Sequence, residues 1–381
     1  MKKNIEKYYT SAMEYWKGRV DSDTDYDAFR WHQWVQPIDL SDESLEPFDG
    51  KLGFAFIGFC SEQGIKRNKG RVGSALAPDF IRGQMSNLPC AFSQEVKLFD
   101  AGNIICEGMS MENGQIGLGH AVEKILSLNL FPIVLGGGHE TTFGHFLGEY
   151  HNLRKASGKT DPAGASDLID EGGYANSAAA GAGTGAGALG EAKARFGIVN
   201  FDAHFDLRPY NNGSSSGSMF RQIADICHDD GEKYRYMPLG IQQHSNTVQL
   251  FKVAKALGVN YILAKDFQTM GYASILEKVD LFMGDCENAY MTICTDVFSS
   301  AFAPGVSATQ SLGLDPEVVL PVIKHILRTR KVKGFDICEI SPRFDQDNTT
   351  ANLGAVIIFA VVSTLCKMDG LDIDLDDISW M

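Results

Sequence analysis

At 381 residues, 44% of them hydrophobic, the chain is long enough to bury a sizeable core. Its 34 Lys and Arg against 48 Asp and Glu leave a formal net charge of −14 with no strongly basic stretch, which argues against nucleic acid or anionic membrane as partners. An anionic small molecule would need arginines placed at its own site.

Residues 1–50 are polar and aromatic without a clean period, and they predict an amino-terminal extension packed on the body. The start, Met1-Lys2-Lys3-Asn4, lacks the apolar core of a signal peptide, and the longest apolar run, 353–362, is too short to span a bilayer. Eight cysteines with no CxxC pair are expected as free thiols in a reducing cytoplasm. From residue 53 onward, strand-like runs at 53–59, 96–99, 131–135, 196–200, 234–239, 280–284, 291–295 and 334–339 alternate with amphipathic stretches such as 117–128 and 315–329. That alternation predicts a doubly wound, mostly parallel α/β sheet with helices on both faces, as one domain over 51–381. A Gly/Ala-rich insertion at 156–190 interrupts it; with little to bury and high chain entropy, it is expected to be a flexible surface loop. Its Gly183-Thr184-Gly185-Ala186-Gly187 lacks the Lys-Ser/Thr ending and the preceding strand of a phosphate loop.

Four of the apolar runs deliver polar residues at their ends. After 131–135 comes Gly136-Gly137-Gly138-His139-Glu140. After 196–200 come Asp202, His204 and Asp206, whose period of two can aim all three side chains one way from a strand end. Cys294 and Asp296 share a face at the end of 291–295, and Glu339 closes 334–339. Carboxyl ends of adjacent strands are where open α/β sheets place their chemistry. Even without Glu339, six metal-ligand side chains exceed what one catalytic zinc uses, and suit a two-metal site bridged by shared carboxylates.

These motifs, in this order, resemble the arginase or ureohydrolase superfamily, and within it the formiminoglutamases (formimidoylglutamases). The matching pieces are Arg67-Asn68-Lys69-Gly70-Arg71-Val72-Gly73, Leu135 through Glu140, Asp202 through Asp206, Ser215 through Gln222, Asp296-Val297-Phe298 with Ala303 through Ala308, and Glu339-Ile340-Ser341-Pro342. The resemblance spans residues 64–365 outside the insertion. It implies a three-layer α/β/α sandwich around an eight-stranded parallel sheet, with a binuclear manganese centre. His139, Asp202, Asp206 and position 294 would hold one Mn2+, and Asp202, His204, position 294 and Asp296 the other. The implied activity is hydrolysis of N-formimino-L-glutamate to L-glutamate and formamide in histidine degradation, by a metal-activated hydroxide attacking the amidine carbon. Glu339 would hold the amidine, and Asp206 would pass a proton to the leaving amine. Arg208 and Ser216, with Arg221 and Asn68, would form the carboxylate pocket. A cytoplasmic homo-oligomer is expected.

Two positions depart from the superfamily pattern. Cys294 stands where an aspartate usually bridges both metals; a thiolate there would admit Zn2+ or Fe2+, unless Cys294 is a bystander or the site is degenerate. Phe220 stands where arginases carry a histidine, which tells against arginase itself. Another ureohydrolase, acting as an agmatinase or on a guanidino acid, and a metal-deficient pseudoenzyme are the alternatives. His145, six residues beyond His139, is expected to face away and serve structure.

Overall fold

The computed structural model describes residues 9–158 and 194–373. Ten strands run through them: β1 (Tyr9–Thr10), β2 (Gln36–Pro37), β3 (Leu52–Cys60), β4 (Val96–Ile105), β5 (Phe131–Leu135), β6 (Ala194–Phe201), β7 (Tyr236–Ile241), β8 (Ile262–Leu263), β9 (Cys286–Cys294) and β10 (Val332–Cys338). β3 shows why they form. Phe54 and Phe56 enter one apolar layer while Ala55, Ile57 and Phe59 enter the other, and all five are fully buried. A strand with no solvated face belongs in a parallel sheet covered on both sides.

The strands form one sheet in the order β1-β4-β3-β5-β10-β9-β6-β7-β8, with β2 also pairing β4. All pairs are parallel except β1 with β4. Helices Ala77–Met85, Tyr272–Gly284, Pro316–Arg328 and Thr349–Met368 cover one face. Helices Met111–Ser127, Thr141–Ala156, Met219–Asp229 and Val248–Ala256 cover the other, completing an α/β/α sandwich. Local signals start these helices. Asp315 accepts from the amide of Glu317 ahead of Pro316, and Ser110 accepts from that of Asn113.

The expected eight strands need correction. Residues 280–284 are the last turns of helix Tyr272–Gly284, where Ile275, Val279, Phe282 and Met283 are buried at helical spacing. Alone, the apolar run Leu281-Phe282-Met283 carries no period; the residues before it do. The two-residue strands β1, β2 and β8, too short to show alternation, bring the total to ten. The apolar run 353–362 lies within the 20-residue helix Thr349–Met368, which is long and apolar enough to cross a membrane. It instead buries Ala351, Ala355, Ile358 and Val362 in the core. The Gly/Ala insertion falls almost wholly outside the described residues.

In residues 12–40, Trp16 and Trp31 are buried, and the Trp16 indole donates to Asp100 Oδ2 at 2.6 Å. The same carboxylate takes Arg82 Nε at 2.6 Å, which pairs a fully buried guanidinium. All eight cysteines are free thiols.

Register positions the site. Cys294 of β9 is level with Cys338 of β10, Phe201 of β6 with Ile293, and Leu135 of β5 with Ile337. Four neighbouring strands, β5, β10, β9 and β6, thus end at one height, and the loops leaving them start side by side.

Candidate metal centre

Beyond Phe201 the chain leaves the β conformation and bends at Ala203 and His204. Period-two alternation therefore does not aim Asp202, His204 and Asp206. Convergence comes from the bend, and from a left-handed backbone at Asp206 with φ +49°. Glu339, just past β10, is also left-handed at φ +69°. Non-glycine residues held there cost of order 1–3 kcal/mol each, and concentrate where surrounding structure overrides local preference.

His139 Nδ1 lies 3.1 Å from Asp202 Oδ2 and 3.0 Å from Asp206 Oδ2. His204 Nδ1 lies 3.1 Å from Asp296 Oδ2 and 3.4 Å from Asp202 Oδ1. Two donor groups result: His139, Asp202 and Cys294, and Asp202, His204 and Asp296, each with ligand atoms within 4.8 Å of one another. Asp202 belongs to both, one oxygen toward each imidazole. Backbone and amide donors steady it, from His204 N at 2.7 Å and Asn200 Nδ2 at 3.1 Å. Asp206 joins through its contact with His139.

Carboxylates outnumber imidazoles here, and the protonation equilibria reflect that field. Burial works against Asp202 ionising, yet His139 and His204 hold its carboxyl below the usual range. Burial also opposes the cationic histidines, but Asp202, Asp206 and Asp296 push His139 and His204 well above 6.5. Asp206 is pushed up to about 6 by burial and by Asp202. Glu339 is pushed up to about 8 by burial, with Asp296 and Glu140 adding. Burial and the carboxylates of Asp202, Asp296, Glu339 and Asp206 push the Cys294 thiol well above 9. Every one of these groups except His204 is buried, and Asp296 Oδ1 and Glu339 Oε2 lack a hydrogen-bond partner among the described residues. Unpartnered buried carboxylate oxygens in a negative pocket fit divalent cations, which would neutralise the field and release the histidine and thiol protons.

The loops around the centre place the other expected residues unequally. Glu339 Oε1 accepts from the His139 amide at 2.8 Å. Arg208 is exposed, with no hydrogen bond or ion pair to its guanidinium among the described residues, and its backbone amide donates to Gly217 O at 2.9 Å. Gly217 lies close to both side chains: a Cβ there would be 2.9 Å from Arg208 Cδ and 3.0 Å from Asn68 Nδ2. Arg208, Asn68 and the Ser216–Gly217 turn therefore share one corner. Arg221 is engaged elsewhere, with Nε 3.2 Å from Asp225 Oδ1 one turn along its own helix. Phe220 sets its ring edge-on to the His139 imidazole at 5.7 Å and stacks on Tyr236 at 4.2 Å, an apolar wall.

Three polar residues at the centre had no place in the expected site. Glu140 Oε1 takes Ser61 Oγ at 3.0 Å and Gly64 N at 2.9 Å, pinning the loop that carries Asn68. Thr292 Oγ1 stands 3.2 Å from His139 Nε2, and Asp336 stands behind Thr292. For Thr292 and Asp336 the one sequence signal is a hydroxyl or acid inside an otherwise apolar strand, as in Gly334-Phe335-Asp336-Ile337.

The sequence model of the arginase family matches residues 52–158 and 179–363. The formimidoylglutamase of Clostridium tetani is 52% identical over 359 residues, 94% of this chain and 96% of that protein. The formimidoylglutamase of Bacillus subtilis superposes with a TM-score of 0.68 at 19% identity, over 92% of this chain and 96% of its own. The Trypanosoma cruzi formiminoglutamase with Mn2+ superposes with a TM-score of 0.65 at 20% identity, over 83% and 94%. At such identities the two superpositions speak for the fold.

Proposed function

Because the chain belongs to the arginase family, we propose that it is a formimidoylglutamase, a hydrolase that splits N-formimino-L-glutamate and water into L-glutamate and formamide with two Mn2+ ions. The observation that carries this is the pair of donor groups meeting at Asp202. Bound there, two divalent cations supply Lewis-acid activation of water near neutral pH. His139, Asp202, Asp206 and Cys294 would hold one ion, and Asp202, His204, Cys294 and Asp296 the other.

The chain's own groups handle the rest. Glu339, with a free Oε2, matches a planar amidine, which can donate two hydrogen bonds to one carboxylate. Asp206 takes the proton lost by the attacking water and delivers it to the glutamate nitrogen as the C–N bond breaks. Arg208, with Asn68 and Ser216, faces the substrate carboxylates. Arg221, paired with Asp225, is left as a supporting surface cation.

Cys294 favours a second reading of the metal alone. A sulfur donor in the His139 group is softer than the aspartate it replaces, and suits Zn2+ or Fe2+ at that position. The test measures formamide and glutamate released from N-formimino-glutamate, and urea released from arginine, agmatine and guanidinobutyrate, with Mn2+, Zn2+ or Fe2+ added. Turnover of the formimino substrate is expected; turnover confined to a guanidino compound, or none with any metal, refutes the assignment.

A further inference from the structure

Beneath the metal centre, between the sheet and helix Thr141–Ala156, runs a chain of buried polar side chains that the proposed chemistry does not use. It starts at His139, which turns Nδ1 to Asp202 and Asp206 and Nε2 to Thr292 Oγ1 at 3.2 Å. A threonine has one hydroxyl proton, and Asp336 Oδ1 stands 2.5 Å away to accept it. Thr292 can then offer His139 only a lone pair. A neutral His139 therefore keeps its proton on Nε2, which makes Nδ1, on the side of Asp202 and Asp206, the nitrogen available to a cation.

Asp336 is fully buried and also accepts from the Cys338 thiol at 3.3 Å, from the Tyr290 hydroxyl, and from His145 Nδ1 at 3.1 Å. Four donors thus converge on this one carboxyl group. The far side of His145 faces a second buried acid, with Nε2 3.2 Å from Glu149 Oε1. Neither Glu149 oxygen has a well-aligned hydrogen-bond donor, so that contact is electrostatic. Burial opposes a charge on His145, yet Asp336 and Glu149 outweigh it and push the imidazole up to about 9.

Two features argue that this arrangement is not mere filling. Burying an imidazole between two acids carries a desolvation cost that an apolar pair would avoid. The backbone is also cleared for it: a Cβ on Gly334 of β10 would lie 2.1 Å from Glu149 Oε1 and 2.6 Å from His145 Nε2.

We propose that His145, held between Glu149 and Asp336, is a positioning residue for the metal centre, anchoring the Asp336–Thr292 pair that presents His139 with its Nδ1 free to bind a cation. It rests on the two-cation site proposed above, since the orientation of His139 matters only if His139 is a ligand.

The experiment is Mn2+ titration of metal-stripped protein, following free Mn2+ by electron paramagnetic resonance. In His145→Asn the amide nitrogen can stand where Nδ1–H stood and still donate to Asp336. In His145→Gln it reaches toward Glu149 instead. Filling alone treats the two alike. Expected are an affinity within about threefold of wild type for His145→Asn, and losses of about 10–100-fold for His145→Gln and Thr292→Val, the usual effect of removing a group that orients a ligand. The double variant should lose no more than Thr292→Val, because His145 acts through Thr292.

Equal affinities for the Asn and Gln variants, or additive losses in the double variant, overturn the proposal. Should His145→Gln not fold, Thr292→Val, isosteric and at home in a strand, carries the test, and unchanged Mn2+ binding there overturns it equally. Wild-type protein that binds no divalent ion would refute the two-cation site itself, and with it this inference.

Discussion

Asp202 is the residue on which the centre turns, because its two oxygens address both imidazoles from full burial. Asp202→Ala should remove both ions, with an activity loss beyond the about 10–100-fold typical of losing a group that only supports a ligand. Metal content and turnover of the folded variant check this, and wild-type values would end the two-metal assignment. Cys294 is 2% exposed and its thiol is held protonated, so only a cation beside it makes a thiolate ligand. Cys294→Asp should tighten Mn2+ binding and lessen sensitivity to mild oxidants, and Cys294→Ala should weaken both ions, the one held by His204 and Asp296 most. Three parallel titrations decide it; if Cys294→Ala binds two ions as wild type does, the sulfur is a bystander. Arg208 is exposed, which places its contribution at the low end for a charged hydrogen bond. Arg208→Ala should raise KM by roughly tenfold, about 1.4 kcal/mol, with kcat little changed. A KM within twofold of wild type would make Arg208 a solvated bystander. The donor residue types were legible in the sequence because ligand chemistry is a property of the side chain. Which arginine stays free was not, since the pairing of Arg221 with Asp225 depends on rotamer and helix face.

The elements that matter most are β9 and β10, which enter the sheet between β5 and β6 and so bring Cys294, Asp296 and Glu339 to His139 and Asp202. Helix Thr141–Ala156 closes over them and approaches β10 at Gly334. The atoms that a Gly334→Ala methyl would meet are fully buried and have no room to retreat. The substitution should destabilise by about 1–3 kcal/mol, as overpacking does. Thermal or denaturant unfolding measures the loss, and an unchanged midpoint would mean that the helix slides freely on the sheet. Reading continuous apolar runs revealed the long strands, because burial on both faces is written locally, as Phe54 to Phe59 shows. It failed at 280–284, where a short apolar run carries no period, and at β1, β2 and β8, which have two residues each.

For the whole molecule, a net charge of −14 and a centre rich in carboxylates favour cations, and the balance shifts with pH. Glu339 ionises at about 8 in the fold against 4.5 as a free side chain. The native state therefore holds this proton more tightly, and the stability it contributes is full below pH 4.5 and lost as pH rises through 8. With metal chelated, Glu339→Gln should gain thermal stability over wild type between pH 5 and pH 8, and the gap should be widest at the alkaline end. A constant gap across that range would contradict the raised pKa. Metal affinity should move the opposite way and strengthen with pH, because His139 and His204 must shed protons that the surrounding carboxylates retain. The class of fold, the strand-end placement of the chemistry and the donor set could be read along the chain, because each depends on residues within a few positions of one another. The order of strands, the bend that aims Asp202, His204 and Asp206, and the partnership of His145 with an aspartate 191 residues away could not. Those depend on which elements become neighbours, and burial in the assembled core sets that.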